Sequence, residues 1–412
     1  MTNLAGMGKS VDEMQLRTRG ILPVQKLKLL CEAGVIRARE GAPIQEDQFQ
    51  PNSIDLRLGL VAHRVRCSFL PESEAVEEKI GKLHHYTFSI EDGAILEPNC
   101  VYIIPLLEEI YLPETHFPPQ QKLFNGEERG EGFRLVSTDH LTAKTNPKST
   151  TGRLDIFTRV ITDYSHRFEE IERGYRGKLY LEVVPKSFPV KVRTGQRLNQ
   201  LRVRHGQEVI SDQDLLRIHN SEPLLYDGAG NPLPMDQVKV NNGLFLSVNL
   251  PAGGDGEVVG YKARKHRDMI DLDRIDHYAV EDFWEPISCR KKDQVILEPE
   301  AFYIFASKER CRIPFDLAAE MIAYDTGSGE LRTHYAGFFD SGFGGSVKDG
   351  GARAVLEVRS HDVPFLIEDG QTFCSMRFEP NTETPEVVYG TGATGSNYQG
   401  QGLKLGKHFR KP

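Results

Sequence analysis

Ile95-Leu96-Glu97-Pro98, followed by Tyr102, returns 201 residues later as Ile296-Leu297-Glu298-Pro299, followed by Tyr303. In both places a short apolar run, a turn and a second apolar run follow one another at the same spacing. Further matches occur in the same order: Asn52 with Asn242, Pro113 with Pro314, Leu181-Glu182-Val183 with Leu356-Glu357-Val358, Pro189 with Pro364, and Gly195-Gln196 with Gly370-Gln371. Ordered matches of this kind indicate that the chain contains two copies of one folding unit.

The length of the chain agrees with two units, because 412 residues exceed what one ordinary hydrophobic core contains. A polar connector that carries Asp227-Gly228 and Gly230-Asn231-Pro232 separates the copies. The predicted segments are a first repeat at 1–215, a linker at 216–238, a second repeat at 239–412, and insertions near 114–145 and 346–353.

Each copy is predicted to be mostly β-strand. Its apolar, β-branched runs, such as 178–184 and 354–358, are short and bounded by Gly and Pro. A helix is predicted near 23–33, where Val24 and Leu27 follow helical spacing and Pro23 suits the first turn. Many short strands with few helices indicate a mainly β fold, such as a barrel, a clip or a jelly-roll.

The composition excludes several classes of function. A net charge of −8 gives no whole-molecule attraction to nucleic acid, so we expect no nucleic-acid partner. No apolar stretch is long enough to span a bilayer, and the N-terminus lacks the apolar region of a signal peptide, so we expect no membrane partner. Six cysteines spread singly along the chain are typical of reduced thiols and predict a cytoplasmic protein.

The chain contains neither Cys-x-x-Cys nor His-x-Glu, the pattern that supplies zinc ligands and a proton shuttle in zinc deaminases. We therefore expect no zinc and no metal site built from protein side chains.

The first candidate site is Lys148-Ser149-Thr150-Thr151-Gly152-Arg153. A cation, three hydroxyls, a glycine and a guanidinium suit a triphosphate, which offers many hydrogen-bond acceptors and strong negative charge. The alternative is a polar turn between two strands.

The second candidate site is 334–345, which contains Ala336, Phe338, Asp340 and Phe343 among several glycines. Small residues let a ligand approach the backbone, aromatic rings stack on a base or sugar, and a carboxylate accepts from a hydroxyl. The alternative is a β-hairpin with buried phenylalanines.

The third candidate is the pair of glutamates at equivalent positions, Glu182 and Glu357, each inside an apolar strand. In a dry pocket, burial raises the pKa of a glutamate and a nearby Arg lowers it, which suits proton transfer between water and a leaving amine. The alternative is a glutamate on the solvated face of its strand.

The fourth candidate is the glycine-rich tail 389–402, which contains Tyr389, Tyr398 and Gln401. Its glycines allow movement, and its tyrosines and glutamines can close over a polar ligand. The alternative is a disordered tail.

Together these segments resemble the dCTP deaminase family, relatives of trimeric dUTPases. The resemblance covers nearly the whole chain, counted as two family units. The matching segments are 50–59 with an early strand of the family, 148–153 with its phosphate motif, 336–345 with its nucleoside motif, 356–358 with the strand of its catalytic glutamate, and Tyr389 with 398–401 as its closing segment.

The resemblance implies two tandem dUTPase-like β-clip or distorted jelly-roll domains, with sites between neighbouring subunits. It implies hydrolytic deamination of dCTP to dUTP without zinc, on a triphosphate bound with Mg²⁺. It also implies that Glu357 is the general base for water attacking C4 of cytosine, and that Ser149 and Arg153 position the water and the phosphates. By the same resemblance, Asp340 would hold the deoxyribose hydroxyl, Phe343 would stack on the sugar, and the backbone at Ala336 would recognise cytosine. The further substrate-binding residues that it implies are Lys148, Thr150, Phe338, Gln371, Tyr389, Tyr398 and Gln401.

The two copies depart from the family in complementary ways. The first keeps Ser149 and Arg153 but lacks the nucleoside motif, whereas the second keeps that motif and Glu357 but has no cation at 323–327. We therefore predict one composite site, with phosphate handling from the first copy and base handling from the second. Glu182 is then the second choice for a catalytic residue, in a vestigial site.

Two other functions stay open at this point. The chain could be a dUTPase or a bifunctional dCTP deaminase and dUTPase, although the glycine-rich arginine motif of dUTPase tails is absent. It could also be a regulator that binds deoxynucleotides without turnover. The resemblance further implies a homo-oligomer and feedback inhibition by dTTP.

Overall fold

The computed structural model describes residues 19–113, 141–250, 257–288, 294–323, 331–333, 337–360, 362–391 and 400–410. Short helices connect the strands of these segments: α1 Val24–Glu32, α2 Val76–Leu83, α3 Ser149–Gly152, α4 Asp212–Ser221 and α5 Val280–Phe283. None of the helices in these segments is long and apolar enough to cross a membrane.

Strands dominate both halves of the chain. The first half contains β1 Gly20–Ile21, β2 Ile36–Ala38, β3 Ile54–Arg57, β4 Val61–Val65, β5 His84–Ser89, β6 Ala94–Leu96, β7 Val101–Tyr111, β8 Leu141–Pro147, β9 Ile156–Ile161, β10 Glu170–Ile171, β11 Arg176–Pro185, β12 Val190–Val192 and β13 Arg197–His205. The second half contains β14 Leu225–Tyr226, β15 Leu244–Ser247, β16 Val258–Ala263, β17 Ile270–Asp271, β18 Trp284–Ser288, β19 Gln294–Leu297, β20 Phe302–Cys311, β21 Leu317–Ala323, β22 Leu331–Thr333, β23 Phe338–Phe339, β24 Ala352–Ser360, β25 Phe365–Glu368 and β26 Thr372–Pro380.

The same sheets occur in both halves. The order β5-β4-β7-β11-β9 in the first half corresponds to β18-β16-β20-β24-β22 in the second. The path β13-β8-β10, with β3 on β13, corresponds to β15-β26-β21-β23, and the pair β6-β12 corresponds to β19-β25. The predicted mainly β, duplicated fold is confirmed.

The repeated sequence motif has a repeated structural role. The hydroxyl of Tyr102 accepts a hydrogen bond from the backbone N–H of Glu97 at 3.1 Å, and Tyr303 accepts the same bond from Glu298 at 2.8 Å. In each copy a buried tyrosine thus fixes the turn that precedes a long central strand, which explains why these residues recur together.

The second copy also packs into the core of the first. Trp284 is fully buried and lies against Phe188 of the first copy, with ring centroids 5.6 Å apart. Phe409, near the C-terminus, lies 5.8 Å from Trp284 and belongs to the same core. The C-terminal segment is therefore anchored on the first copy, which brings the residues before it to the boundary between the copies.

Details of the segmentation differ from the sequence expectations. The predicted helix is present as α1, whose apolar face buries Leu27 and Leu30. The expected polar linker contains the end of α4 and all of β14, because Leu224 and Leu225 pack into the second core. Residues 141–145, expected in an insertion, begin β8, because Leu141 packs into the first core; 114–140 lie outside the described residues.

Candidate active site

The phosphate-type motif of the first copy forms a tight turn. After β8 ends at Pro147, α3 makes one helical turn, in which the N–H of Arg153 donates to the carbonyl of Ser149 at 3.1 Å. Ser149 lies at the exposed start of this turn, whereas Arg153 at its end is buried with 2% of its surface exposed. The turn therefore directs the guanidinium into the protein.

Glu357 lies in the middle of β24 and reaches this turn from the second copy. A methyl group added at Gly152 would stand 2.2 Å from Oε2 of Glu357, so only glycine leaves room for the carboxylate. The side chain of Glu357 is buried, and 8% of the residue is exposed. The structure thus brings Arg153 and Glu357 together within one chain, although the family resemblance implied sites between subunits.

Two further residues close this site from the C-terminal segment. Arg153 donates one hydrogen bond to Oε1 of Gln401 at 2.9 Å and another to the carbonyl of Lys404 at 3.0 Å. Gln401 in turn donates to the carbonyl of Arg353 on β24 at 3.1 Å. The segment predicted to close the site therefore bridges the turn that carries Arg153 and the strand that carries Glu357.

The environment of Glu357 changes its acidity. Burial raises its pKa to about 8, while Arg153 opposes the shift and Asp155 adds to it. Near neutral pH the group can therefore hold or release a proton, as an acid–base catalyst must.

The nucleoside-type segment is held by the first copy, close enough to the phosphate-type turn for the charge of Lys148 to act on Asp340. Arg202 of β13 is fully buried, donates to Oδ1 of Asp340 at 2.9 Å and lies 4.0 Å from the ring centroid of Phe338. Burial raises the pKa of Asp340, and Arg202 opposes the shift. Ser341 donates its N–H to Oδ1 of Asn52 at 2.8 Å, so a second residue of the first copy fixes this segment.

The glycines and aromatic residues of this segment fix its conformation. Gly342 has φ +88°, which favours glycine, and a methyl group there would stand 2.9 Å from Cβ of Val388. Phe343 is buried against Phe339 and Tyr389, at centroid distances of 4.9 Å and 5.5 Å. Phe343 and Tyr389 thus form one packed unit at the second hydrophobic core.

A cavity of about 450 Å³ adjoins the phosphate-type turn. Lys148 and Thr150 line it, together with Lys407 and His408 of the C-terminal segment. Lys148 also pairs with the buried carboxylate of Asp55. Burial and the nearby cations Lys148 and Arg197 lower the pKa of Lys407. The lining also includes Arg197 and the carboxylate of Asp273. Because its three cations outnumber this one carboxylate, the cavity is electropositive.

Several predicted residues are not brought to this centre. Glu182 is buried in an ion pair with Arg159 at 2.6 Å, in the equivalent place of the first copy. Gln371 accepts from the N–H of Glu368 at 3.1 Å in the turn between β25 and β26. Ala336 and Tyr398 lie outside the described residues.

Other residues near the centre were not predicted from the sequence. Four of them lie outside the recognised motifs and next to the boundary between the copies. Two ion pairs cross this boundary, Arg202 with Asp340 and Asp155 with Arg359, and Lys407 lines the cavity together with residues of the first copy. A single Asp, Lys or Arg far from its partner in the chain gives no local signal. In the described segments, no cluster of three His, Cys, Asp or Glu side chains is placed to hold a metal ion.

The chain matches two family models in the order of its repeats. Residues 18–118 and 131–207 match the N-terminal domain of 2′-deoxycytidine 5′-triphosphate deaminase, and residues 211–409 match its C-terminal domain. The chain is similar in structure to the crystal structure of 2′-deoxycytidine 5′-triphosphate deaminase from Agrobacterium tumefaciens, and the two sequences are 39% identical. That similarity covers 89% of this chain and 100% of the other, with a TM-score of 0.77.

Curated relatives match a shorter region. The protein named "dCTP deaminase, dUMP-forming" from Mycolicibacterium vanbaalenii is 31% identical over 124 residues, which cover 29% of this chain and 62% of the relative. The protein of the same name from Methanosphaera stadtmanae is 26% identical over 133 residues, covering 32% and 64%. The chain thus spans less than two thirds of these relatives' length. The models of both domains and the full-length match to the solved structure show that the chain belongs to the dCTP deaminase family.

Proposed function

We propose that the chain hydrolyses dCTP to dUTP and ammonia. The observation that carries this proposal is the meeting of Arg153 from the first copy with Glu357 from the second, in a buried site that the C-terminal segment closes. The names of the similar proteins agree with this substrate.

In the proposed reaction, a water molecule attacks C4 of cytosine and the exocyclic amine leaves. The carboxylate form of Glu357 takes a proton from this water and returns it to the leaving amine. A pKa of about 8 suits both steps near neutral pH, because the proton is neither too tightly nor too weakly held. Arg153 favours the carboxylate form and, with Ser149, positions the water.

The sugar and phosphates extend from this centre. Asp340, held by Arg202, accepts a hydrogen bond from the deoxyribose hydroxyl, and the unit of Phe343 and Tyr389 packs beside the sugar. The triphosphate enters the electropositive cavity beside Lys148 and Lys407, and Mg²⁺ arrives with it as part of the substrate. Charge-assisted hydrogen bonds from lysines suit this ligand.

The direct test measures ammonia and pyrophosphate separately, with dCTP, dUTP and CTP as substrates. We expect ammonia from dCTP, much less from CTP, and no pyrophosphate from dUTP. Pyrophosphate release from dCTP would instead support the dUMP-forming activity after which the curated relatives are named. Binding of dCTP with no ammonia would support a regulator and refute catalysis.

Two variants assign the reaction to the composite site. Glu357→Gln should lower kcat by at least roughly 10²-fold, the usual contribution of positioned acid–base catalysis. Glu182→Gln is the matched control, because Glu182 occupies the equivalent strand position but is neutralised by Arg159. Similar losses in kcat for both variants would contradict a single composite site. Homo-oligomer formation and inhibition by dTTP stay predictions, to be tested by light scattering and by adding dTTP to the same assay.

A further inference from the structure

A buried ion pair joins the two copies next to the proposed reaction centre. Asp155 of the first copy is fully buried and accepts a hydrogen bond from the guanidinium of Arg359, of which 4% is exposed. Each partner stands two residues after a proposed functional residue, Asp155 after Arg153 and Arg359 after Glu357.

Asp155 is fixed to the phosphate-type turn by its backbone. Its φ of +55° is in the left-handed region, and its N–H donates to the carbonyl of Gly152 at 2.9 Å. The hydroxyl of Ser187 donates to its carboxylate at 2.5 Å, and the N–H of Lys186 donates to its carbonyl at 2.9 Å. A non-glycine residue in this conformation is retained where surrounding contacts determine it. The carboxylate therefore moves with the turn that carries Arg153.

Arg359 is fixed equally well to the strand of Glu357. Residues two apart in a strand point to the same face, so Arg359 lies on the side of β24 that faces the turn. Its guanidinium also donates to the carbonyl of Glu300 and lies 5.8 Å from the ring centroid of Phe302. Its position is thus set by the second copy, and its charge is paired both by the exposed Glu300 carboxylate of that copy at 4.0 Å and by the buried Asp155 of the first.

We propose that Asp155 and Arg359 are positioning residues, which hold the turn of Arg153 and the strand of Glu357 at the separation that catalysis requires. This inference rests on the proposed deaminase activity. Neither residue touches the reacting atoms in this proposal. They act by joining the two copies at the point where misplacement of the catalytic groups costs most.

The first copy supplies an internal comparison. Val184 stands at the position equivalent to Arg359, 175 residues earlier, and it is a buried residue without charge. Glu182, equivalent to Glu357, is instead paired with Arg159 on the neighbouring strand. An arginine therefore stands two residues after Glu357, the glutamate of the composite site, but not after Glu182, the glutamate of the vestigial site.

The test compares Asp155→Asn, Arg359→Met and Arg359→Lys, with kcat and KM for dCTP measured on folded protein. A shift of the catalytic groups by about 1 Å can cost roughly 10²-fold in rate, so we expect kcat to fall at least tenfold in the first two variants. Arg359→Lys keeps the charge and should recover part of kcat. The double variant Asp155→Asn/Arg359→Met should lose about as much kcat as either single variant, because both substitutions break the same ion pair.

Arg204→Met is the control, because Arg204 and Glu379 form another ion pair between the copies, at 3.4 Å and away from Glu357. It should lower stability while kcat is unchanged. The pH profile of kcat/KM separates positioning from simple support of the fold. Arg153 and Asp155 are the charged groups that act on Glu357. The acidic limb should therefore shift to lower pH in Asp155→Asn, because this variant removes the carboxylate that raises the pKa of Glu357.

If the wild type is active and the Asp155 and Arg359 variants keep its kcat and pH profile, this inference is wrong but the proposed deaminase activity stands. Equal loss of kcat in Arg204→Met would also overturn it, because any contact between the copies would then suffice. An inactive wild type would instead refute the proposed function.

Discussion

Glu357→Gln should make the protein more stable as well as inactive, and the gain should grow with pH. In the unfolded chain a glutamate has a pKa of 4.5, whereas burial raises the pKa of Glu357 to about 8 in the folded protein. Between these values the folded state binds more protons than the unfolded state. The free energy of unfolding therefore falls as pH rises through this window, and the neutral glutamine removes that loss.

The size of the effect follows from the pKa shift. Each pH unit inside the window costs about 1.4 kcal/mol, so between pH 5.5 and pH 7.5 the advantage of Glu357→Gln over the wild type should grow by about 3 kcal/mol. Below pH 4.5 both states carry the proton and the pH-dependent difference disappears.

Urea unfolding at several pH values measures this difference. Trp284 is the single tryptophan and is fully buried in the core shared by both copies, so its fluorescence reports on unfolding. Glu182→Gln is the control, because it breaks the buried pair with Arg159 and should lower the free energy of unfolding. A stability difference for Glu357→Gln that is constant with pH, or that grows in favour of the wild type, would refute the assigned environment of Glu357.

Three other predictions follow from the same geometry. Gly152→Ala should lower kcat by roughly 10²-fold, because its methyl group would displace the Glu357 carboxylate, whereas Gly81→Ala, in a helix with open space around it, should leave kcat unchanged. Lys407→Met should raise KM for dCTP by about tenfold and change kcat little, since a charge-assisted hydrogen bond contributes about 1.5–3 kcal/mol. An unchanged KM would contradict the proposal that the triphosphate binds in the cavity lined by Lys407. In steady-state assays, kcat/KM should rise with pH and level off above about 8 as the base form of Glu357 accumulates, and a profile that falls over this range would contradict its role as base.

The sequence predicted the repeated β fold because its strongest signals are local and doubled. The same motif, Ile-Leu-Glu-Pro followed by a tyrosine, occurs once in each copy. Both tyrosines, Tyr102 and Tyr303, make the same hydrogen bond, so the motif predicts the same local structure in both copies. The helix α1 was also visible, since its apolar spacing is regular. The linker was harder to place, because its apolar residues, Leu224 and Leu225 among them, are scattered through a polar stretch without regular spacing, and their burial depends on the second core.

The candidate site was predictable where its motifs are contiguous. Arg153 and Glu357 each stand in a recognisable segment, and the complementary losses in the two copies pointed to their meeting. Arg202 and Lys407 were missed because their partners lie far away in the chain. Gln371 was expected at the site from the family resemblance, but it lies in a turn of the second copy, whereas its counterpart Gln196 lines the cavity.

The most direct measurement of the composite site mixes two inactive chains. Arg153→Ala and Glu357→Gln chains are expressed together with different tags, and complexes that carry both tags are assayed for ammonia release from dCTP. If Arg153 and Glu357 of one chain form each site, every site in the mixture lacks one of them and activity stays at the level of the single variants. Activity restored to a sizeable fraction of the wild type would show that the two residues meet across subunits, and would contradict a site built within one chain.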